Sequence, residues 1–121
     1  MRNTSILIVE DELIIALSLK KELEKQEYRV LPIVSDADEA IAQAVKHDPD
    51  LIIMDILLNS NKNGFEAARE ISGAIETRFI FLTGNEYLLN EYKDKLNSSY
   101  RILGKPATEA DIKETINNLI D

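Results

Sequence analysis

Apolar runs of four or five residues recur along the chain, and longer stretches with helical spacing of apolar and polar residues separate them. The runs are almost uninterrupted, which is typical of strands that are covered on both faces of a parallel sheet. They predict five strands, at Ile6–Val9, Val30–Val34, Leu51–Met54, Phe79–Leu82 and Tyr100–Leu103.

The stretches that follow the strands carry apolar residues three and four positions apart, which predicts one amphipathic helix after each strand. Ser35 is the expected N-cap of the second helix, and Thr108 with Asp111 has capping-box spacing at the start of the fifth. The apolar positions that mark the five helices are, in order, Ile15, Ala16, Leu19 and Leu23; Ala37, Ala40, Ile41, Ala44 and Val45; Phe65, Ala68, Ile71 and Ile75; Leu88, Leu89, Tyr92 and Leu96; and Ile112, Ile116, Leu119 and Ile120.

The regular alternation of strands and helices predicts an α/β fold of the (βα)₅ type, with a doubly wound parallel sheet of five strands between two layers of helices. A chain of 121 residues with 45% hydrophobic content can build one sizeable core. Residues 1–121 are therefore expected to form a single domain. In doubly wound folds, functional groups gather at the carboxyl ends of the strands.

Charged and hydroxyl side chains stand at four of the predicted strand ends. Glu10 and Asp11 follow the first strand, Asp55 follows the third, Thr83 follows the fourth and Lys105 lies just beyond the fifth. If the strand order is 2-1-3-4-5, the first and third strands are neighbours where the order reverses, and the three carboxylates share one pocket. Thr83 and Lys105 then close the far side of that pocket.

Three carboxylates in one pocket repel one another unless a cation lies among them. Mg²⁺ suits such a pocket because it prefers octahedral oxygen coordination and keeps positions for water or a phosphoryl oxygen. Asp55 is then a candidate nucleophile for in-line phosphoryl transfer. The Lys105 ammonium and the Thr83 hydroxyl would neutralise charge on the resulting aspartyl phosphate.

At these positions the sequence resembles the receiver domain of two-component response regulators, and the resemblance covers essentially the whole chain. Any one matching segment is a weak signal, but five in the family's order make the resemblance specific. The segments are Ile6–Glu12, Pro49–Ile56, Asn63–Glu66, Phe81–Gly84 and Lys105–Pro106.

The resemblance implies a flavodoxin-like sheet in the order 2-1-3-4-5 and phosphorylation of Asp55 by a sensor histidine kinase or a phosphotransfer protein. It also implies a Mg²⁺ site formed by Asp11, Asp55 and the backbone carbonyl of Leu57, with Glu10 often acting through water. Such a domain is a switch and not an enzyme, because it promotes only its own phosphorylation and dephosphorylation. The switch is expected to change the surface of the fourth helix, fifth strand and fifth helix, through which self-association is left open.

Three departures from the family pattern affect details of this expectation. The segment from Ile56 to Gly64 lacks the frequent proline and is one residue longer than the commonest version. Ile102 stands where the family often has an aromatic residue, the nearest aromatic being Tyr100. Ala107 replaces the usual aromatic after the Lys-Pro pair, which removes packing at the start of the last helix.

Several other interpretations remain open. Glu10 to Glu12 could place acidic charge in the first helical turn, where the helix dipole favours it. On the first helix, Leu13, Ile14 and Leu17 broaden the apolar stripe. The resemblance makes that helix the docking region for a kinase, but core packing is the expected reason for the broad stripe.

Other protein classes fit the pattern less well. A haloacid-dehalogenase-like phosphatase places a second aspartate two residues after its nucleophile, where this chain has Leu57. A flavin or nucleotide carrier needs a phosphate-binding loop after the first strand, and the acids there would repel phosphate. A phosphorylation-independent interaction module of the same fold is the main alternative to a receiver.

Charge and composition limit the binding partners, the chemistry and the cellular location that are expected. The net charge of −8, from 22 acidic and 14 basic side chains, argues against direct binding to nucleic acid or to an anionic membrane. The absence of cysteine excludes disulfides and thiolate chemistry. With no membrane span or signal peptide in the sequence, a cytoplasmic location is expected. The sequence names neither the cognate kinase nor the downstream effector.

Overall fold

The computed structural model describes residues 3–58, 60–84, 96 and 98–120. Within these residues, strands and helices alternate along the chain, apart from β4 and β5, which follow one another among the elements described. The elements are β1 (Ser5–Val9), α1 (Leu13–Lys25), β2 (Arg29–Val30), α2 (Ala37–His47), β3 (Leu51–Asp55), α3 (Gly64–Ala74), β4 (Arg78–Thr83), β5 (Tyr100–Gly104) and α4 (Glu109–Ile120).

The five strands form one parallel sheet in the order β2-β1-β3-β4-β5. This confirms the predicted fold class and strand order. Residues Leu88, Leu89 and Tyr92 of the predicted fourth helix lie outside the described residues, so the predicted fifth helix corresponds to α4. Because the chain first moves outward to β2 and then returns past β1 to β3, a crevice is expected between the carboxyl ends of β1 and β3.

Alternate strand residues point to opposite faces of the sheet, and each face carries its own hydrophobic core. Leu7 and Ile52 belong to the core under α2 and α3, whereas Ile6 and Ile53 belong to the core under α1 and α4. Both faces of the central strands are therefore buried, which explains why their sequences are continuously apolar. The sheet is doubly wound, as predicted.

The second strand is shorter than predicted. The amide of Leu31 donates to Ile6 O, but the next bond to β1 comes from Val34, which donates to Ile8 O at 3.1 Å. Leu31 and Val34 are three residues apart, whereas their partners Ile6 and Ile8 on β1 are two residues apart, as in a β-bulge. Pro32 lies in the bulge and has no N–H to donate, so regular pairing ends at Val30 and resumes only as a bridge between Val34 and Val9.

Of the two predicted helix caps, the one at α4 is confirmed and the one at α2 is wrong. The cap of α2 is Asp36, whose side chain accepts from Glu39 N at 2.8 Å, so the predicted Ser35 cap is wrong. At the start of α4 the Thr108 hydroxyl accepts from Asp111 N at 3.0 Å, and the Asp111 carboxylate accepts from Thr108 N at 3.2 Å. The predicted capping box is confirmed.

Helix α1 buries a narrower stripe than its composition indicates. Ala16, Leu19 and Leu23 are its buried residues. The side chains of Leu13, Ile14 and Leu17 are 63%, 84% and 50% exposed, so the expectation that they pack in the core is wrong.

In the part of the chain that the structure describes, every helix is too short or too polar to cross a membrane.

Candidate phosphoacceptor site

The sheet brings the predicted strand-end residues to one edge. Asp55 is the last residue of β3 and pairs with Leu82 of β4, directly before Thr83. Glu10 follows β1, the neighbour of β3 on its other side. The carboxyl ends of parallel strands lie together because all strands run the same way, and the spacing in sequence thus becomes proximity in space.

Three carboxylates form a compact acidic cluster at this edge. One oxygen from each of Glu10, Asp11 and Asp55 lies within 4.8 Å of the others. Glu10 and Asp55 are buried, with 2% and 4% exposure, whereas Asp11 is exposed. Helix α1 begins only at Leu13 and has no acid in its first turn, so the alternative that these residues serve as first-turn charges is wrong.

Lys105 supplies the positive charge of the cluster. Its Nζ lies 3.0 Å from Asp55 Oδ2 and 3.1 Å from Glu10 Oε1, so one ammonium bridges two buried carboxylates. Its backbone N–H donates to Thr83 O at 2.9 Å, which fixes the chain after β5 against the end of β4. Lys105 and Thr83, which is itself buried, are thereby held beside the acceptor candidate.

Glu10 and Lys105 shift one another's pKa. The pKa of the Glu10 carboxyl is raised from its ordinary value of 4.5 to about 7, first by burial and then by the neighbouring Asp55, while the Lys105 ammonium lowers it only in part. For Lys105, burial lowers the pKa, but the hydrogen bonds and negative charges of Asp55 and Glu10 together outweigh burial and leave the pKa raised. With one ammonium among three carboxylates, Lys105 alone does not neutralise the ionised cluster.

The segment after β3 packs closely around Asp55. The amide of Leu57 donates to Asp55 Oδ1 at 3.2 Å, and the amide of Gly64 donates to Ile56 O at 2.7 Å. A Cβ at position 64 would overlap the backbone carbonyl of Asp55 and approach Met54 Cγ to 2.8 Å. Gly64 is the first residue of α3, and the sequence alone gave no sign of this close approach.

Comparison with known families adds a second line of support. The sequence profile of the response regulator receiver domain family matches residues 6–117 of this chain. The chain belongs to the response regulator receiver domain family. Receiver domains belong to two-component systems, in which they interact with histidine kinases or phosphotransfer proteins.

The receiver sequence is also similar to parts of several bacterial regulators. It is 39% identical over 83 residues to the transcriptional regulatory protein YvrH of Bacillus subtilis, covering 69% of this chain and 35% of that protein. It is 38% identical over 86 residues to the aerobic respiration control protein ArcA of Escherichia coli, covering 71% of this chain and 35% of that protein. The chain thus spans about a third of the length of these relatives.

Solved structures of receiver domains superimpose on nearly the whole chain. The receiver domain of the sensor histidine kinase PA1611 from Pseudomonas aeruginosa, which has a magnesium ion in its active-site cleft, is 27% identical with a TM-score of 0.83 and 98% coverage of both chains. The chemotaxis protein CheY4 of Vibrio cholerae, at 24% identity, has a TM-score of 0.84 with 98% and 100% coverage. The latter likeness supports the fold alone.

The residues of this receiver domain fit a magnesium ion. Mg²⁺ usually binds one or two carboxylates together with waters or phosphoryl oxygens, and the cluster offers three carboxylates within 4.8 Å. Three carboxylates share one ammonium, so the ionised cluster carries excess negative charge that a cation would neutralise. Glu10, Asp11 and Asp55 are the side chains that would hold the ion.

Proposed function

We propose that this receiver domain accepts a phosphoryl group on Asp55 from a histidine kinase or a phosphotransfer protein. The single observation that carries the proposal is the bridge from Lys105 Nζ to Asp55 Oδ2, at 3.0 Å, inside a cluster of three carboxylates. A buried carboxylate with an ammonium on one oxygen is well placed to act as nucleophile while charge develops on a transferred phosphoryl group.

In the transfer step, an oxygen of Asp55 attacks phosphorus as the N–P bond of the donor's phosphohistidine breaks, and the electron pair of that bond stays on the imidazole. Lys105 keeps its proton and stabilises the added negative charge through its ammonium. The Thr83 hydroxyl is proposed to donate to a phosphoryl oxygen, and the Leu57 carbonyl to complete the metal ligands. Mg²⁺, when bound among Glu10, Asp11 and Asp55, supplies charge neutralisation for the incoming phosphoryl oxygens.

The donor is proposed to dock on the exposed apolar face of α1. Leu13, Ile14 and Leu17 present apolar surface to solvent beside the acidic cluster, and exposed apolar patches of this kind mark interaction sites. A groove of about 580 Å³ continues this face between α1 and the start of α4, where Ala107 and Ile112 line it. The small side chain of Ala107 contributes to the open groove.

In this proposal the domain is a switch that promotes only its own phosphorylation and dephosphorylation. The output surface is proposed to lie at β5 and α4 together with the segment between β4 and β5. Tyr100 and Ile102 pack on the same face of β5, as period-two alternation predicts, and the Tyr100 ring meets Phe81 edge-on at 5.8 Å. The cytoplasmic location remains a prediction from the sequence.

Intact-mass measurement after incubation with acetyl phosphate and Mg²⁺ tests the proposal. The wild type should gain one phosphoryl group and Asp55→Asn none. Equal labelling of the variant would refute the site, and no labelling of the wild type by acetyl phosphate or by several kinases would favour a phosphorylation-independent interaction module. Ile14→Ser tests the docking face, because it should retain labelling by acetyl phosphate while losing transfer from a phosphorylated kinase.

A further inference from the structure

Polar side chains of the segment between β3 and α3 tie this segment to α2 and α3. It is longer than the commonest receiver version and lacks the usual proline, so ring rigidity does not fix its path. Its first residues nevertheless meet the acceptor carboxylate, since Leu57 N donates to Asp55 Oδ1 at 3.2 Å. Any device that sets the position of this segment also sets the backbone around Asp55.

Lys62 ties the segment to two helices. Its Nζ lies 3.1 Å from Asp38 Oδ1 in the first turn of α2 and 2.8 Å from Glu70 Oε2 in α3. Hydrogen bonds to Glu70 and Asp38 raise the pKa of the Lys62 ammonium, which stays charged at neutral pH. One cation therefore bridges carboxylates that are far apart in sequence and belong to different helices.

Ser60 makes a second tie to α2. Its hydroxyl donates to Lys62 O at 2.8 Å and accepts from Ala37 N at 3.4 Å. Ala37 is the first residue of α2, so its N–H has no partner within the helix. Ser60 thus satisfies a helix-terminal donor and braces the turn that presents the Lys62 side chain.

We propose that Ser60 and Lys62 form a clasp that closes the β3–α3 segment onto α2 and α3, and that Lys62 is a positioning residue for the Asp55 site. The inference rests on the proposed function. Lys62 acts through the backbone, because its ammonium is engaged by Asp38 and Glu70 and not by the acceptor. With the clasp closed, Leu57 stays beside Asp55; with the clasp open, the same segment departs from it more often.

The expected size follows from the exposure of the ion pairs. The Lys62 side chain is 36% exposed and its partners Asp38 and Glu70 are 71% and 51% exposed. Exposed ion pairs change populations by only about two- to five-fold and weaken in salt. Loss of the clasp is thus expected to change the rate about three-fold and to leave the fold intact.

The experiment compares Lys62→Met with Lys62→Arg and with Lys113→Met, which removes the same charge from an exposed site on α4. Two readouts are taken on the full chain: amide hydrogen exchange of Leu57 and Gly64 without phosphodonor, and the initial rate of labelling by acetyl phosphate with Mg²⁺. In low salt, Lys62→Met should exchange about three-fold faster at both amides and label about three-fold more slowly. Lys62→Arg should match the wild type, as should Lys113→Met.

Salt provides an internal check, because high NaCl should bring the exchange rates of the wild type towards those of Lys62→Met and leave the exchange rates of that variant unchanged. Unchanged exchange in Lys62→Met, or an equal change in Lys113→Met, would overturn the clasp. Faster exchange with an unaltered labelling rate would overturn the positioning role. If the wild type is not labelled at all, the proposed function fails and the positioning role with it, while the exchange data alone decide whether the clasp exists.

Discussion

Replacing Glu10 by glutamine tests whether the acidic cluster is electrostatically strained without metal. Glu10 is 2% exposed, and burial together with the nearby Asp55 raises its pKa from 4.5 to about 7. At about 1.4 kcal/mol per pKa unit, the folded protein is roughly 3 kcal/mol less stable with Glu10 ionised than with Glu10 protonated. Glutamine keeps the size and an acceptor oxygen but carries no titrating charge.

The raised pKa of Glu10 predicts that the wild type loses stability as the pH rises. Because the folded-state pKa of Glu10 lies above the unfolded-state value, its contribution to stability is fully present below 4.5 and is lost as the pH rises through about 7. From about pH 5.5 to pH 8.5 the free energy of unfolding of wild type should fall relative to Glu10→Gln by about 2 kcal/mol.

Urea unfolding of both proteins in EDTA, followed by circular dichroism, measures this difference. Groups that do not contact Glu10 contribute similarly to both proteins, so subtraction leaves the contribution of Glu10 and its coupled partners if the m-values agree. A difference between the two free energies that does not change with pH, or that favours wild type more strongly at high pH, would refute the electrostatic account.

Three further predictions concern the same edge of the sheet. Gly64→Ala should destabilise the fold by about 3 kcal/mol or more in urea unfolding because its Cβ would overlap a β3 carbonyl; Gly73→Ala, with open space at its Cβ, should be neutral or stabilising, and equal effects would contradict this packing. Asp11→Ala should lose most Mg²⁺ affinity in calorimetric titration, and retained affinity would exclude Asp11 as a ligand. Thr83→Ala should still be phosphorylated but lose most phosphorylation-induced amide NMR shifts over residues 84–104, whereas Tyr100→Phe should keep them; the reverse ranking would contradict the proposed switch.

Much of the fold could be predicted because strand and helix periods differ. The apolar runs at Ile6–Val9 and Leu51–Met54 are continuous since both faces of β1 and β3 are buried. Their carboxyl ends place Glu10 and Asp55 together through topology alone. A parallel sheet thus converts short sequence runs into a site, with no need to predict any loop.

Other features depend on contacts between residues far apart in sequence. The local sequence around Pro32 and Ser35 does not show where β2 ends or which residue caps α2. The bridge from Val34 to β1 determines where pairing resumes, and Asp36 is the cap that follows it. The exposed Ile14 resembles a core residue by type, and only packing distinguishes the two. Lys62 reads as an ordinary surface lysine, because its partners come from two other elements.

Borohydride reduction of the phosphorylated protein tests the central claim most directly, because it converts an aspartyl phosphate into homoserine at the modified position. Peptide mass mapping then identifies which carboxylate of the cluster accepted the phosphoryl group. After incubation with acetyl phosphate and Mg²⁺, homoserine should appear at Asp55, whose Oδ2 lies 3.0 Å from Lys105 Nζ. Homoserine at Asp11, or reduction at no aspartate of a protein that carries the added phosphoryl mass, would contradict Asp55 as the acceptor.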